Sequence, residues 1–263
     1  MDKTSIKLLD RTGETNYNNS NNRMTIIKYN SAIDILVEFD TGDIIKSTYN
    51  HFKNGCIKSY YDRTICDIGF LGEGKHVLSP TKINPNSKQA YRIWKGLFDR
   101  CYKHYNESRN YVYNNCEISD EWECFNTFAD WYFENFYEIK GQTMCLDKDI
   151  LHKGNKIYSP ETCVFVPQII NKLFTKSDKA RGKLPIGVQY ETLGYRADIT
   201  TYNFELKQKK RKYLGHFNTE EEAFNAYKIA KESNIKRVAD YYKNKIPKKL
   251  YDAMYKYEVE ITD

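Results

Sequence analysis

The stretch Leu214-Gly215-His216-Phe217-Asn218-Thr219-Glu220-Glu221-Glu222-Ala223 changes its period in the middle, and the chain can be read outward from it. Before Asn218, residues 212–217 read as a strand. After it, Thr219 caps a helix whose first turn carries Glu220, Glu221 and Glu222, where the helix dipole favours acid. Ala223, Tyr227 and Ala230 then give that helix a small apolar face suited to packing on a sheet. Upstream, 186–190 and 195–200 read as two more strands. Downstream, 234–257 reads as one or two further helices broken near Pro247. The expected C-terminal unit is therefore three strands backed by a helix.

Alternation along these strands assigns the faces. With Ala197 and Ile199 towards the helix, Arg196, Asp198 and Thr200 face outward. Leu214 inward leaves Tyr213 and Arg211 on the outer or edge side, and Gln189 alternates with Val188 and Tyr190. Arg and Gln suit bidentate contacts to base edges. Lys207, Lys209, Lys210, Arg211 and Lys212 form a basic hairpin suited to phosphates, which position rather than specify. The plainer reading of these residues is a solvated strand face with a charged hairpin tip. Charge favours the first reading. Up to Thr175 there are 22 basic and 22 acidic residues, whereas 176–263 holds 19 basic and 13 acidic, so the whole excess of +6 lies in the last third. A basic block on a neutral body points to an anionic partner, nucleic acid first.

Towards the N-terminus, 24–29, 33–39 and 44–49 alternate like strands, with Asp40-Thr41-Gly42-Asp43 as a hairpin turn. The Asn-rich run 16–22 reads as a flexible loop. A small β-barrel or curled sheet is expected, followed by a linker over 80–88. Ala90, Trp94, Leu97, Phe98, Cys101 and Tyr105 recur at helical spacing over 88–105. A second helix follows Ser119-Asp120, with Trp122, Phe125, Ala129, Tyr132 and Phe136 on one face. Residues 144–151 read as a short strand ending in charge, 164–166 as its return, and Pro167 as the start of a helix. The expected fold is multidomain α+β: a β-rich unit over 1–79, a central helical and ββα unit over 88–176, and the C-terminal unit with helical tail over 182–263.

The chain has 263 residues, 40% hydrophobic and 29% charged, with a mean hydropathy of -0.75. No run approaches the ~20 apolar residues of a spanning helix, so a membrane partner is not expected. Residues 1–11 hold no apolar segment of a secretory leader, and the seven cysteines include no CxxC pair. Cys101, Cys116, Cys145 and Cys163 can in principle converge on a metal; small buried hydrophobes is the plainer reading. A reducing, cytoplasmic setting is expected. Phosphate loops, GxSxG elbows and dinucleotide fingerprints are absent, and Gly69-Phe70-Leu71-Gly72-Glu73-Gly74 reads as a loop.

Gly187-Val188, Tyr195-Arg196-Ala197-Asp198-Ile199, Leu214–Ala223, Ala226-Tyr227 and Ala230 together resemble the AP2 (integrase-type) DNA-binding family over roughly 50 residues. The resemblance implies a sheet laid in the major groove of double-stranded DNA. Leu146-Asp147-Lys148-Asp149, Gly154-Asn155-Lys156 and Tyr158-Ser159-Pro160-Glu161-Thr162-Cys163, ending at Val166-Pro167, resemble the HNH (ββα-metal) endonucleases of phage and homing type. That resemblance implies Mg²⁺ or another divalent metal on Asp147, with Asp149 or Glu161 adding a second carboxylate. It places Asn155 at the central Asn and Lys148 where the general-base His is expected, with the last ligand position near Thr162. His152 can replace that base or be a loop histidine without a role. The function implied is a phage-type homing endonuclease that cuts or nicks DNA inside the infected bacterial cell. The alternatives are a catalytically inactive DNA-binding regulator, or a counter-defence factor that binds a host protein.

Overall fold

The computed structural model describes residues 9–76, 85–103, 115–175, 184–261 and 263. Tyr105, most of the expected linker and the start of the expected C-terminal unit lie outside them. The elements run β1 (Thr15–Tyr17), β2 (Arg23–Ser31), β3 (Asp34–Phe39), β4 (Ile44–Ser47), α1 (Tyr49–Lys53), α2 (Pro85–Cys101), β5 (Glu117–Ile118), a 3-10 turn (Asp120–Trp122), α3 (Phe125–Asn135), β6 (Met144–Asp147), β7 (Ile157–Tyr158), β8 (Val164–Pro167), α4 (Gln168–Asn171), β9 (Val188–Glu191), β10 (Gly194–Asn203), β11 (Gln208–Phe217), α5 (Glu220–Tyr242) and α6 (Lys248–Lys256). The class is α+β with several small sheets. Chain contacts divide into two units, Met1–Glu134 with Lys156–Pro160, and Asn135–Asn155 with Glu161–Asp263. The segment resembling an HNH core is thus apportioned between them.

In the first unit, β1 to β4 form an antiparallel meander in sequence order. Met24, Ile26, Ile35, Val37 and Phe39 alternate onto one face and are sealed by Phe52 and Ile57. The Asn-rich run is not a loose loop. Asn16 donates to the carbonyl of Phe52 at 2.8 Å, and buried Asn18 donates to both oxygens of buried Asp62 at 3.0 Å. Asparagine amides here satisfy buried backbone and carboxylate groups, which composition alone does not reveal. The expected third strand stops at Ser47, because the Thr48 hydroxyl accepts from the His51 amide and starts α1 instead.

Trp94, Leu97 and Phe98 of α2 are fully buried, as are Trp122, Phe125, Phe128 and Ala129 around α3. The Trp94 indole donates to the carbonyl of Trp122 at 2.6 Å, so its buried N–H is satisfied. The glycine-rich loop packs tightly on this cluster: a Cβ on Gly72 would stand 2.2 Å from the Cys124 sulfur. Its glycines serve close packing. β5 and β7 add a short parallel pair.

In the second unit, β6 pairs antiparallel with β8. Ile150, Val164, Val166 and Ile170 share one core with Ile235, Val238, Ala239 and Tyr242 of α5 and Leu250 and Met254 of α6. Pro167 occupies the N-cap of α4, one residue before the expected N1 position. The three-stranded sheet, in order β11-β10-β9, forms a second core with the other end of α5: Val188, Ala197 and Ile199 against Ala223, Phe224 and Tyr227. Thr219 and Glu222 complete a reciprocal capping box at the start of α5. Gly187, at φ +79°, lies where a Cβ would stand 2.0 Å from the Tyr227 ring. Gly187→Ala is therefore expected to lower unfolding stability by about 1–3 kcal/mol through overpacking and backbone strain. A urea titration unchanged by that substitution would contradict the packing of β9 on α5.

Candidate nucleic-acid interface

The outer face of the C-terminal sheet is set by register. Arg196 lies opposite Gln189 on β9 and His216 on β11, while Asp198 faces Tyr213 and Thr200 faces Arg211. Between Ala197 and Asp198 the register slips, because Ala197 pairs with Gly215 and Asp198 with Tyr213. Leu214 is the extra residue of a β-bulge. The bulge lets Leu214 and Phe217, three apart, both pack against the α5 core. Tyr213 and His216 then both fall on the outer face. Gly215 makes this possible: its φ is +143°, and a Cβ there would press on the Phe217 ring at 3.1 Å.

One hydrogen-bonded network spans this face. Asp198 accepts from Arg196 Nη2 at 3.2 Å, with Arg196 Nε 2.9 Å from its other oxygen, and from Arg211 Nη2 at 2.7 Å. Arg211 also donates to Gln189 Oε1 at 3.3 Å, and Arg196 to Glu191 Oε1 at 3.1 Å. His216 joins Glu191 at 2.9 Å and the Tyr213 hydroxyl at 2.6 Å, and the Arg196 guanidinium lies 5.3 Å over the Tyr213 ring. Burial alone would raise the Asp198 pKa, but Arg211 and Arg196 hold it below the ordinary carboxylate range. Surface ion pairs add little stability. Their effect here is geometric: one carboxylate orients two guanidiniums on neighbouring strands. Glu191 and His216 are the members that sequence reasoning missed. Glu191 shares the parity of Gln189 and was within reach of it, whereas the bulge hides the side taken by His216.

With Arg196 and Arg211 balanced by Asp198 and Glu191, the face itself is close to neutral. The exposed cations are Lys207, Lys209, Lys210 and Lys212 along the hairpin. Lys209 shares the outer face with Arg211. Lys212 pairs with Ile199 and Lys210 with Thr201, so both fall on the side facing α5, while all four lysines stay on the hairpin.

The second candidate site lies in the β6–β8 segment. Asp147 ends β6, and its Oδ1 accepts from the amides of Asp149 and Ile150, each at 2.8 Å. Burial raises its pKa, partly offset by those two amides. Lys148 is buried; its ammonium donates to the Asp149 carboxylate and, at 2.9 Å, to the Asn155 carbonyl. Asn155 returns the bond, its side-chain amide donating to the Lys148 carbonyl at 2.9 Å. The two residues thus clasp the loop from both ends. His152 is exposed in the turn between them, and its carbonyl accepts from the Asn155 amide at 3.0 Å. Asp149 and Glu161 are exposed, and among the described residues no three His, Cys, Asp or Glu side chains gather as a metal site. One oxygen of Asp147 is thus turned to backbone amides, and Asp149 to an ammonium.

A double-mutant cycle tests the clasp. Lys148→Met and Asn155→Ala are each expected to cost about 1–3 kcal/mol, and to couple by about 0.5–3 kcal/mol when combined. Additive losses in urea unfolding would mean the two residues act separately.

Comparison with protein-family models, with curated proteins and with solved structures finds no match to this chain.

Proposed function

We propose that this chain is a double-stranded DNA-binding protein of the AP2-like kind. The outer face of the β9–β10–β11 sheet meets base edges and the hairpin lysines meet phosphates. The observation that carries the reading is Asp198, which holds Arg196 and Arg211 side by side on the sheet face turned away from α5. A guanidinium braced by a carboxylate keeps free N–H groups directed outward and loses less entropy on contact. Bidentate donation of that kind suits the acceptor pair of guanine in the major groove. A near-neutral reading face beside a cationic hairpin also matches the division between contacts that specify and contacts that position.

For the β6–β8 segment the clasp supports a structural part, so the reading is binding without strand cleavage. The resemblance to HNH enzymes places Asp147 and Asn155, but both are engaged in holding their own loop.

Mobility shifts with duplex DNA test the first half. Binding is expected to weaken steeply with salt. Arg211→Ala is expected to cost about 1–3 kcal/mol on a preferred sequence and much less on random DNA. Asp198→Asn should erode the same preference while leaving the fold intact. Supercoiled plasmid with Mg²⁺ or Mn²⁺ tests the second half and is expected to stay uncut. Metal-dependent nicks that disappear in Asp147→Ala would contradict it.

A further inference from the structure

The net charge of the last third is not confined to the hairpin. Lys236, Arg237, Lys243, Lys245, Lys248 and Lys249 crowd the end of α5 and the start of α6, all exposed, with the carboxylates of Asp240 and Asp252 among them. Asp240, itself exposed, accepts from the hydroxyls of Tyr251 at 3.0 Å and Tyr255 at 2.6 Å. Lys248 pairs with Asp252. Lys243, Lys245 and Lys249 make no ion pair among the described residues. Lys243 and Lys245 instead lie over the rings of Tyr251 and Tyr241, at 5.6 Å and 4.5 Å. An ammonium on an aromatic face keeps its charge available to a second partner.

This corner is joined to the hairpin by direct contacts. Phe204, at the hairpin tip, stacks on Tyr241 with ring centres 3.7 Å apart and planes 9° apart. Arg237 donates to the Tyr202 carbonyl at 2.9 Å and lies 5.5 Å over the Phe204 ring. Lys210 and Lys212 fall on the α5 side of the hairpin. Positive charge therefore continues from the hairpin, through Arg237, Phe204 and Tyr241, to Lys245. A strip of this kind, with cations in excess of carboxylates, fits a polyanion with regularly spaced charges.

We infer that the α5–α6 corner is a second contact surface, one that grips the phosphate backbone of the duplex flanking the bases read by the sheet. The inference rests on the DNA-binding reading of the sheet. It extends the contact to residues that neither the alternation of the strands nor the hairpin assigns. The corner would add affinity and salt dependence without adding sequence preference.

The test uses the full chain, with fluorescence anisotropy over a series of KCl concentrations. One duplex is about 10 base pairs and the other about 30, a span that adds roughly two helical turns of flank. The variant Lys243→Gln/Lys245→Gln/Lys249→Gln is compared with Arg211→Ala and with the charge-preserving Lys243→Arg/Lys245→Arg/Lys249→Arg. On the long duplex the Gln variant is expected to lower the salt slope by about 2–3, close to 0.9 for each lost phosphate contact. The short duplex is expected to show no change, and the Arg variant should behave as the unaltered chain. Thermal unfolding should match across all of them, since the substituted side chains are exposed. An unchanged slope on the long duplex would overturn the inference, and so would an equal loss on both duplexes. If Arg211→Ala loses sequence preference while the Gln variant changes nothing, the corner falls and the sheet reading stands. If the unaltered chain binds neither duplex, both fall.

Discussion

One extra residue in β11 governs the C-terminal half of this protein. Without the bulge at Leu214, strict alternation would place Leu214 and Phe217 on opposite faces, and one of them would leave the core. With it, both pack half-buried against the α5 core, and Tyr213 and His216 turn together to the open side. There they meet Arg196 and Glu191. The bulge costs a ladder position and requires a glycine at positive φ, a form of local irregularity that often accompanies functional faces. The same feature therefore closes the core and composes the candidate reading face.

α5 carries the consequences through its unit. Its 23 residues begin under the sheet and end in a different core, built from β6, β8, α4 and α6. Ala223 and Tyr227 near one end, and Ile235, Val238 and Tyr242 near the other, serve separate packing surfaces on a single rigid rod. A capping box at its start and Pro247 beyond its end confine it to that span. Because Phe204 of the hairpin stacks on Tyr241 of the same helix, the sheet is tied to α5 at both ends. The loop between β6 and β7 is tied differently, by the reciprocal bonds of Lys148 and Asn155. A buried ammonium with a carboxylate and a carbonyl for partners meets the requirement that buried charge be compensated.

Period and capping carried much of this in the residues themselves. The alternation of Ala197 and Ile199 against Arg196 and Asp198, the Thr219 cap, and the α2 face around Trp94 are local patterns, and the structure follows them. What local pattern misses is pairing between distant segments. His216 belongs to the outer face only because the register slips opposite Ala197. Lys210 and Lys212 fall on the α5 side of the sheet because their partners are Thr201 and Ile199. Asn18 is buried because Asp62, far along the chain, needs donors. Lys148 and Asn155 stand at positions where a family pattern places catalytic groups, and only their coordinates show each bonded to the other's backbone. The deciding partner is remote in sequence for Asn18, and a turn away for Lys148 and Asn155.

Arg211 and Arg196, braced by Asp198, are proposed to read base edges. Selection of bound duplexes from a random pool addresses it most directly, with the unaltered chain and Arg211→Ala run side by side. The account predicts that the unaltered chain enriches a short motif containing guanine, and that Arg211→Ala loses preference at one position while keeping the rest. Enrichment identical in the two proteins, or none in either, would contradict it.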